Sequence, residues 1–243
     1  MTALPDPPPA RRLGLVIDLD TCVGCQACAV ACKEWNGGGH PGPLADLEPC
    51  GSRPAGTWLN RVHGFEVGEG AAGRTVYFPR SCLHCENALC VTVCPTGASF
   101  KRAEDGIVLV DEAKCIGCGL CAWACPYGAR ELDPASGVMK KCTLCVDRIG
   151  DERLPAEDRV PACVAACPAR ARHFGDLGDP ESAVSRLVAE RGGVELLGEL
   201  GYRPTNRYLP PRPGRRLAAE GERLEDAPAE GGFLGWLDRL LGG

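Results

Sequence analysis

A chain of 243 residues has room for one or two domains, yet only 5% of it is aromatic while 17 residues are cysteine. So few aromatic side chains leave packing alone short of material for a core, and something besides apolar burial must help to hold the body together. A formal net charge of −5 argues against a general nucleic-acid-binding surface. No apolar run approaches the roughly 18 residues of a membrane helix, because Asp18 interrupts the run that starts at Leu13.

In chain order, residues 1–12 read as a disordered tail. Arg11-Arg12 ahead of Leu13 looks superficially like a twin-arginine export signal, but Asp18, Asp20 and Cys22 arrive before any useful apolar length. Without an export signal, disulfides are a disfavoured use for so many thiols. Group one of the cysteines is Cys22, Cys25, Cys28 and Cys32, spaced C-x2-C-x2-C-x3-C. A Gly-rich insertion from Asn36 to Arg74 follows, and within it Cys50 stands apart from every group and reads as a non-ligand thiol. Group two is Cys82, Cys85, Cys90 and Cys94; group three, Cys115, Cys118, Cys121 and Cys125, repeats the spacing of group one. In group four, Cys142, Cys145, Cys163 and Cys167, a charged insertion from Val146 to Ala162 parts the two pairs.

The repetition goes beyond cysteine. Val16-Ile17-Asp18 and Gly24 match Leu109-Val110-Asp111 and Gly117 at one common offset, the mark of an internal duplication. A second echo relates Cys94-Pro95-Thr96-Gly97-Ala98 to Cys125-Pro126-Tyr127-Gly128-Ala129, and Gly106-Ile107 to Gly137-Val138. Both segments are expected to form a short strand, a turn and a return strand. The fourth cysteines of groups two, three and four are expected on short helical turns ended by Pro95, Pro126 and Pro168. Beyond the cysteines, Asp179-Pro180 predicts a helix start, with Ala183, Val184, Leu187 and Val188 on one face and Gly192-Gly193 as the stop. Residues 179–213 are expected to pack on the body or a partner. Residues 214–243 read as a flexible linker and a short amphipathic helix, its apolar stripe running from Phe233 to Leu241.

Three thiolates at C-x2-C-x2-C reach three corners of one cubane, and a fourth cysteine followed by proline is directed at the other cluster of a two-cluster module. Zinc is the rival, but its paired C-x2-4-C ligands leave a third cysteine two residues on without a role. The sixteen grouped cysteines are thus expected to hold four 4Fe-4S clusters. The fold class expected is α+β, made of duplicated bacterial-ferredoxin-like modules over residues 13–178 with two clusters each, irregular insertions and a C-terminal tail. Each oxidised cluster with its thiolates carries about two negative charges. Lys33, Lys101, Arg102, Lys114, Arg130, Lys140 and Lys141 lie close to cysteine groups and either offset that charge or are solvated surface cations. His84, between two ligands, reads as a loop residue. None of the four histidines has a catalytic spacing, and no phosphate-binding glycine loop occurs, so no enzymatic role is expected.

The segments Cys22-Val23-Gly24-Cys25-Gln26-Ala27-Cys28 through Asn36, Ser81 to Cys85, Cys115 through Arg130, Lys141 to Cys145, and Phe174-Gly175-Asp176-Leu177 resemble the iron-sulfur subunits of dimethyl sulfoxide reductase-type molybdoenzymes. The resemblance covers roughly Leu13 to Pro210, and within the family it is strongest to the subunits of membrane-bound cytoplasmic sulfite dehydrogenases. It implies an electron-transfer role linking a molybdopterin-containing catalytic subunit to a quinone-reactive membrane anchor, with the chain held through them at the cytoplasmic face of the membrane. A related subunit of a formate dehydrogenase or hydrogenase, a free polyferredoxin and a metal-stapled scaffold without redox work are the alternatives. With the two-cluster rule, the resemblance also implies the ligand sets: Cys22, Cys25, Cys28 and Cys167; Cys32, Cys142, Cys145 and Cys163; Cys82, Cys85, Cys90 and Cys125; and Cys94, Cys115, Cys118 and Cys121.

Overall fold

The computed structural model describes residues 3–37, 57–68 and 73–212. Cys50 and the stripe from Phe233 to Leu241 lie outside the described residues. In chain order the elements are β1 (Leu13–Asp18), α1 (Ala27–Asn36), β2 (Asn60–Val67), β3 (Arg74–Ser81), α2 (Leu89–Thr92), β4 (Ser99–Lys101), β5 (Val108–Val110), α3 (Leu120–Trp123), β6 (Glu131–Leu132), β7 (Met139–Lys140), α4 (Val146–Ile149), α5 (Ala162–Ala165), β8 (Arg172–Asp176), α6 (Ala183–Arg191) and β9 (Arg207–Leu209).

The apolar run of β1 makes it a central strand, buried along its whole length. It pairs antiparallel with β8 and parallel with β9. Leu15 and Ile17 face the main core, with Leu83, Val91, Ile107, Val108, Leu144, Tyr208 and the thiols of Cys28, Cys82, Cys85, Cys142 and Cys163. Val16 points the other way, onto Val184 and Leu209, with Leu187 and Val188 of α6 beside them. The tail helix therefore covers the far side of the sheet through the face that periodicity indicates. It starts at Ala183 rather than at Asp179 because Ser182 caps it, its hydroxyl accepting from the Ser185 N–H. Gly192, in the left-handed region, ends it.

Both expected hairpins form, β4 with β5 and β6 with β7, and the short helices α2, α3 and α5 precede Cys94, Cys125 and Cys167. Two features depart from the sequence reading. The insertion contributes β2 to a long hairpin with β3, whose Phe78 ring stacks on the fully buried Tyr208 at 4.5 Å. Residues 3–12, read as a disordered tail, instead lie against the body. The Arg12 guanidinium donates to Glu86 at 2.6 Å, its backbone N–H donates to Asp176 at 2.8 Å, and Leu4 packs on the core. Arg11 thereby pairs with Asp176, and Arg12 shares Glu86 with Arg203.

Thr205 and Asn206 tie the sheet to the loop of group two. Asn206 accepts from the Leu15 N–H at 2.9 Å and donates to the Cys82 carbonyl at 3.1 Å; the Thr205 hydroxyl donates to the His84 carbonyl at 2.7 Å. Asp18 is clamped nearby by Arg191 at 3.0 Å. Burial alone would raise its carboxyl, but bonds from Thr21 and the Asp20 N–H together with the Arg191 charge outweigh it and hold the group below the usual carboxylate range.

Asp18→Asn is expected to lower stability by about 1.5–3 kcal/mol, the worth of hydrogen bonds to a charged group. A depressed folded-state value contributes stability that is fully present above the unfolded value of about 3.9 and is lost as pH falls through the folded one. The gap between wild type and variant in unfolding midpoint should thus stay constant from neutral pH to about pH 5 and close only at more acid pH. Gly117 has φ +67, and a Cβ there would stand 2.4 Å from the Gly137 carbonyl oxygen; Gly119 has φ +75 but open space. Gly119→Ala should carry only the left-handed penalty of about 1–2 kcal/mol. Gly117→Ala should cost visibly more in the same unfolding assay, and equal losses would contradict this geometry.

Candidate functional site

The cysteine loops curl through left-handed residues: Gly24 and Gln26 in group one, Gly117 and Gly119 at the same places in group three, His84 in group two, and Leu144 and Cys145 in group four. Alternation of this kind turns successive backbone N–H groups inward into an anion-binding concavity. Gly24 and Gly117 are further required by close neighbours, the Tyr77 ring and the Gly137 carbonyl. Backbone N–H groups reach sulfur repeatedly: Ser99 to Cys94 and Ala171 to Cys167 at 3.3 Å, Met139 to Cys115 at 3.4 Å, and Leu144 to Cys142 and Ala162 to Cys145 at 3.5 Å. Asn36 adds its side-chain amide to Cys32 and Cys145.

Thiols from distant parts of the chain stand together. Burial pushes the Cys32 thiol well up, and Cys142, Cys163 and Cys145 push it further, so these four share one neighbourhood. Cys142 is pushed up to about 12, first by burial. Burial likewise raises Cys22, beside Cys28 and Cys167, and Cys85, beside Cys82, Cys90 and Cys125. Cys82, Cys85, Cys90 and Cys125 line one cavity, and Cys94, Cys115, Cys118 and Cys121 line another. Cys25 and Cys118 are exposed, whereas Cys28, Cys32, Cys82, Cys85, Cys94, Cys121, Cys142, Cys145 and Cys163 are buried.

These surroundings suit iron-sulfur clusters. A lone metal ion draws thiolate ligands to about 2.3 Å from one point, and among the described residues no three His, Cys, Asp or Glu side chains are so placed. The thiols of Cys82, Cys85, Cys90 and Cys125, and those of Cys94, Cys115, Cys118 and Cys121, instead line two shared cavities. Arg130 Nη1, Arg172 Nε and His84 Nε2 are buried without hydrogen-bond partners, donors for which cluster sulfides are fitting acceptors.

The cations near the groups sort into two kinds. Arg102 pairs with Glu104 and Asp105, Lys114 with Asp111, and Lys140 with Glu112, while Lys33 bonds the Thr57 carbonyl and lies over the Trp58 ring. Arg130 and Lys141, by contrast, are buried among thiols, and Lys101 is half-buried, donating to the Cys85 and Gly106 carbonyls. Arg172, absent from the sequence reading, is buried and donates to Cys163 at 3.6 Å. It sits five residues after Cys167, as Arg130 sits five after Cys125, and that shared offset was the signal for it. His84 is fully buried, and its Nδ1 accepts from the Val108 N–H at 3.1 Å, leaving the proton on Nε2. Burial, with Lys141, Lys101 and Arg130 nearby, holds it well below the usual histidine range and therefore neutral.

Residues 74–177 match the 4Fe-4S dicluster domain, and residues 19–35 match the 4Fe-4S binding domain. The chain is 59% identical over 204 residues to the B subunit of sulfite dehydrogenase from Allochromatium vinosum, spanning 84% of this chain and 85% of that one. It is 38% identical over 253 residues to the iron-sulfur B subunit of a putative dimethyl sulfoxide reductase from Halobacterium salinarum, spanning 89% and 88%. To the B chain of polysulfide reductase from Wolinella succinogenes it is 36% identical over 205 residues, spanning 84% of this chain and 97% of that one. The chain therefore belongs to the family of 4Fe-4S iron-sulfur subunits of dimethyl sulfoxide reductase-type molybdoenzymes, electron-transfer subunits that are not themselves catalytic.

Proposed function

We propose that the chain carries four 4Fe-4S clusters and relays electrons between a molybdopterin-containing catalytic subunit and a quinone-reactive membrane anchor, with sulfite oxidation as the partner's chemistry. The observation that carries this reading is the order of the thiols in space. Cys28 of the first ligand set neighbours Cys163 of the second, and Cys142 of the second neighbours Cys82 of the third. Arg130 lines both the cavity of the third set and that of the fourth. Those contacts support the reading that the sets follow one another in the order first, second, third and fourth, as two two-cluster modules of which the second is inserted into the first.

A 4Fe-4S cluster, when bound, takes up or releases one electron at a time. The residues of this chain hold the thiolates, supply N–H donors to sulfur and keep water from the middle of the line. The ends are more open. Cys25 is exposed at the first set, with Val23 and Val30 exposed beside it; Cys118 is exposed at the fourth, with Ile116, Leu120 and the almost fully exposed Trp123. Apolar residues round an exposed ligand loop suit a partner's docking surface. No helix of the described residues is long and apolar enough to cross a membrane. Attachment to the cytoplasmic face through partner subunits accords with this reading.

Anaerobic purification of the native complex should give about sixteen iron and sixteen sulfide per chain, as four full sets require, together with a large molybdopterin subunit and an integral membrane subunit. Stoichiometric zinc with little iron, or recovery of the chain without either partner, would overturn the reading. Protease protection in sealed vesicles locates the complex; protection by the periplasmic side would reject the cytoplasmic placement.

A further inference from the structure

Burying a positive charge is unfavourable unless an anion lies beside it. Arg130, Lys141 and Arg172 are each at most 6% exposed, and the ion pairs among the described residues all belong to other arginines and lysines. Their anionic surroundings are thiols, and each cation faces two sets. Arg172 is held by Asn60 at 2.7 Å, donates to Cys163 of the second set and lies against Cys28 of the first. Lys141, which donates to the Cys142 carbonyl, lies between Cys82 and Cys90 of the third set and Cys142 of the second. Arg130 donates to Cys90 of the third set at 3.0 Å and to Ser99 at 2.7 Å, and reaches Cys121 of the fourth. Lys101 differs, since the thiols it meets, Cys85, Cys82 and Cys90, all belong to the third set.

We infer that Arg172, Lys141 and Arg130 are fixed positive charges, one at each of the three junctions between successive cluster sites, and that each stabilises the more negative, reduced state of both clusters it separates. The inference rests on the four-cluster reading above. An electron arriving on either side of a junction meets the same compensating charge, so neither neighbour becomes a steep barrier on account of its burial. The cation exchanges no bond or proton in the step; its part is electrostatic and positional.

The test is a redox titration of the anaerobically purified complex, followed by electron paramagnetic resonance, with iron content measured in parallel. Lys141→Met should lower the midpoint potentials of the second and third clusters, each by a roughly tenfold change in the reduced-to-oxidised ratio at fixed potential, about 59 mV for a one-electron couple. The first and fourth clusters should stay put. Arg172→Met should lower the first and second, Arg130→Met the third and fourth, and Lys101→Met the third alone. Lys141→Arg should keep the wild-type potentials. If Lys141→Met loses its neighbouring clusters, their return in Lys141→Arg supports the charge, and their loss in both variants overturns it in favour of a packing role. Unshifted potentials, or a uniform shift of all four, also overturn the inference. Fewer than four clusters in the wild-type complex would instead remove the reading beneath it, whereas four clusters with unshifted potentials would defeat this inference alone.

Discussion

Negative charge gathered in a small volume is the constraint round which this molecule is arranged. Thiols from segments far apart in the chain share close neighbourhoods, and burial already pushes up those of Cys32, Cys85 and Cys142. Deprotonating them is favourable only where something positive, or a set of N–H dipoles, takes the place of water. The left-handed turns at Gly24, Gly117 and His84, the N–H groups of Ser99 and Ala171, and the buried cations Arg130, Lys141 and Arg172 answer that one demand.

The same demand explains how so thin an aromatic content closes a body. The hairpins β4–β5 and β6–β7 are short, and each returns the chain to another cysteine loop. Long-range order comes from β1, set between β8 and β9, and from Asn206, which bonds Leu15 on one side and Cys82 on the other. That side chain joins the β1 sheet to the loop of group two. Cluster binding contributes folding free energy to such an arrangement, so removal of iron is expected to loosen regions that contain no thiol.

Much of this was legible in the sequence because metal-binding loops are local. The groupings, both hairpins and the buried face of α6 follow from spacing, from paired glycines such as Gly106 and Gly137, and from the Val184, Leu187 and Val188 stripe. What was not legible depends on distant partners. β2 lies in a segment whose alternation is broken by Gly64, and its hairpin is secured from outside, by Tyr208 stacking on Phe78 and donating to the Pro79 carbonyl. β9 is three residues long and pairs in parallel with β1, far from it in the sequence. Residues 3–12 looked structureless because Arg11 and Arg12 find their carboxylates only in the folded body. Arg172 carried a signal, its offset from Cys167, that becomes meaningful beside Arg130.

The central claim is that the fourth cysteine of each group serves a different cluster from the three before it, so that Cys32 parts from Cys22, Cys25 and Cys28 and joins Cys142, Cys145 and Cys163. It is tested most directly by recording the electron paramagnetic resonance of Cys22→Ser, Cys32→Ser and Cys142→Ser complexes. Cys32→Ser and Cys142→Ser should alter one and the same signal, and Cys22→Ser a different one. A common signal for Cys22→Ser and Cys32→Ser, with Cys142→Ser acting on another, would contradict the account.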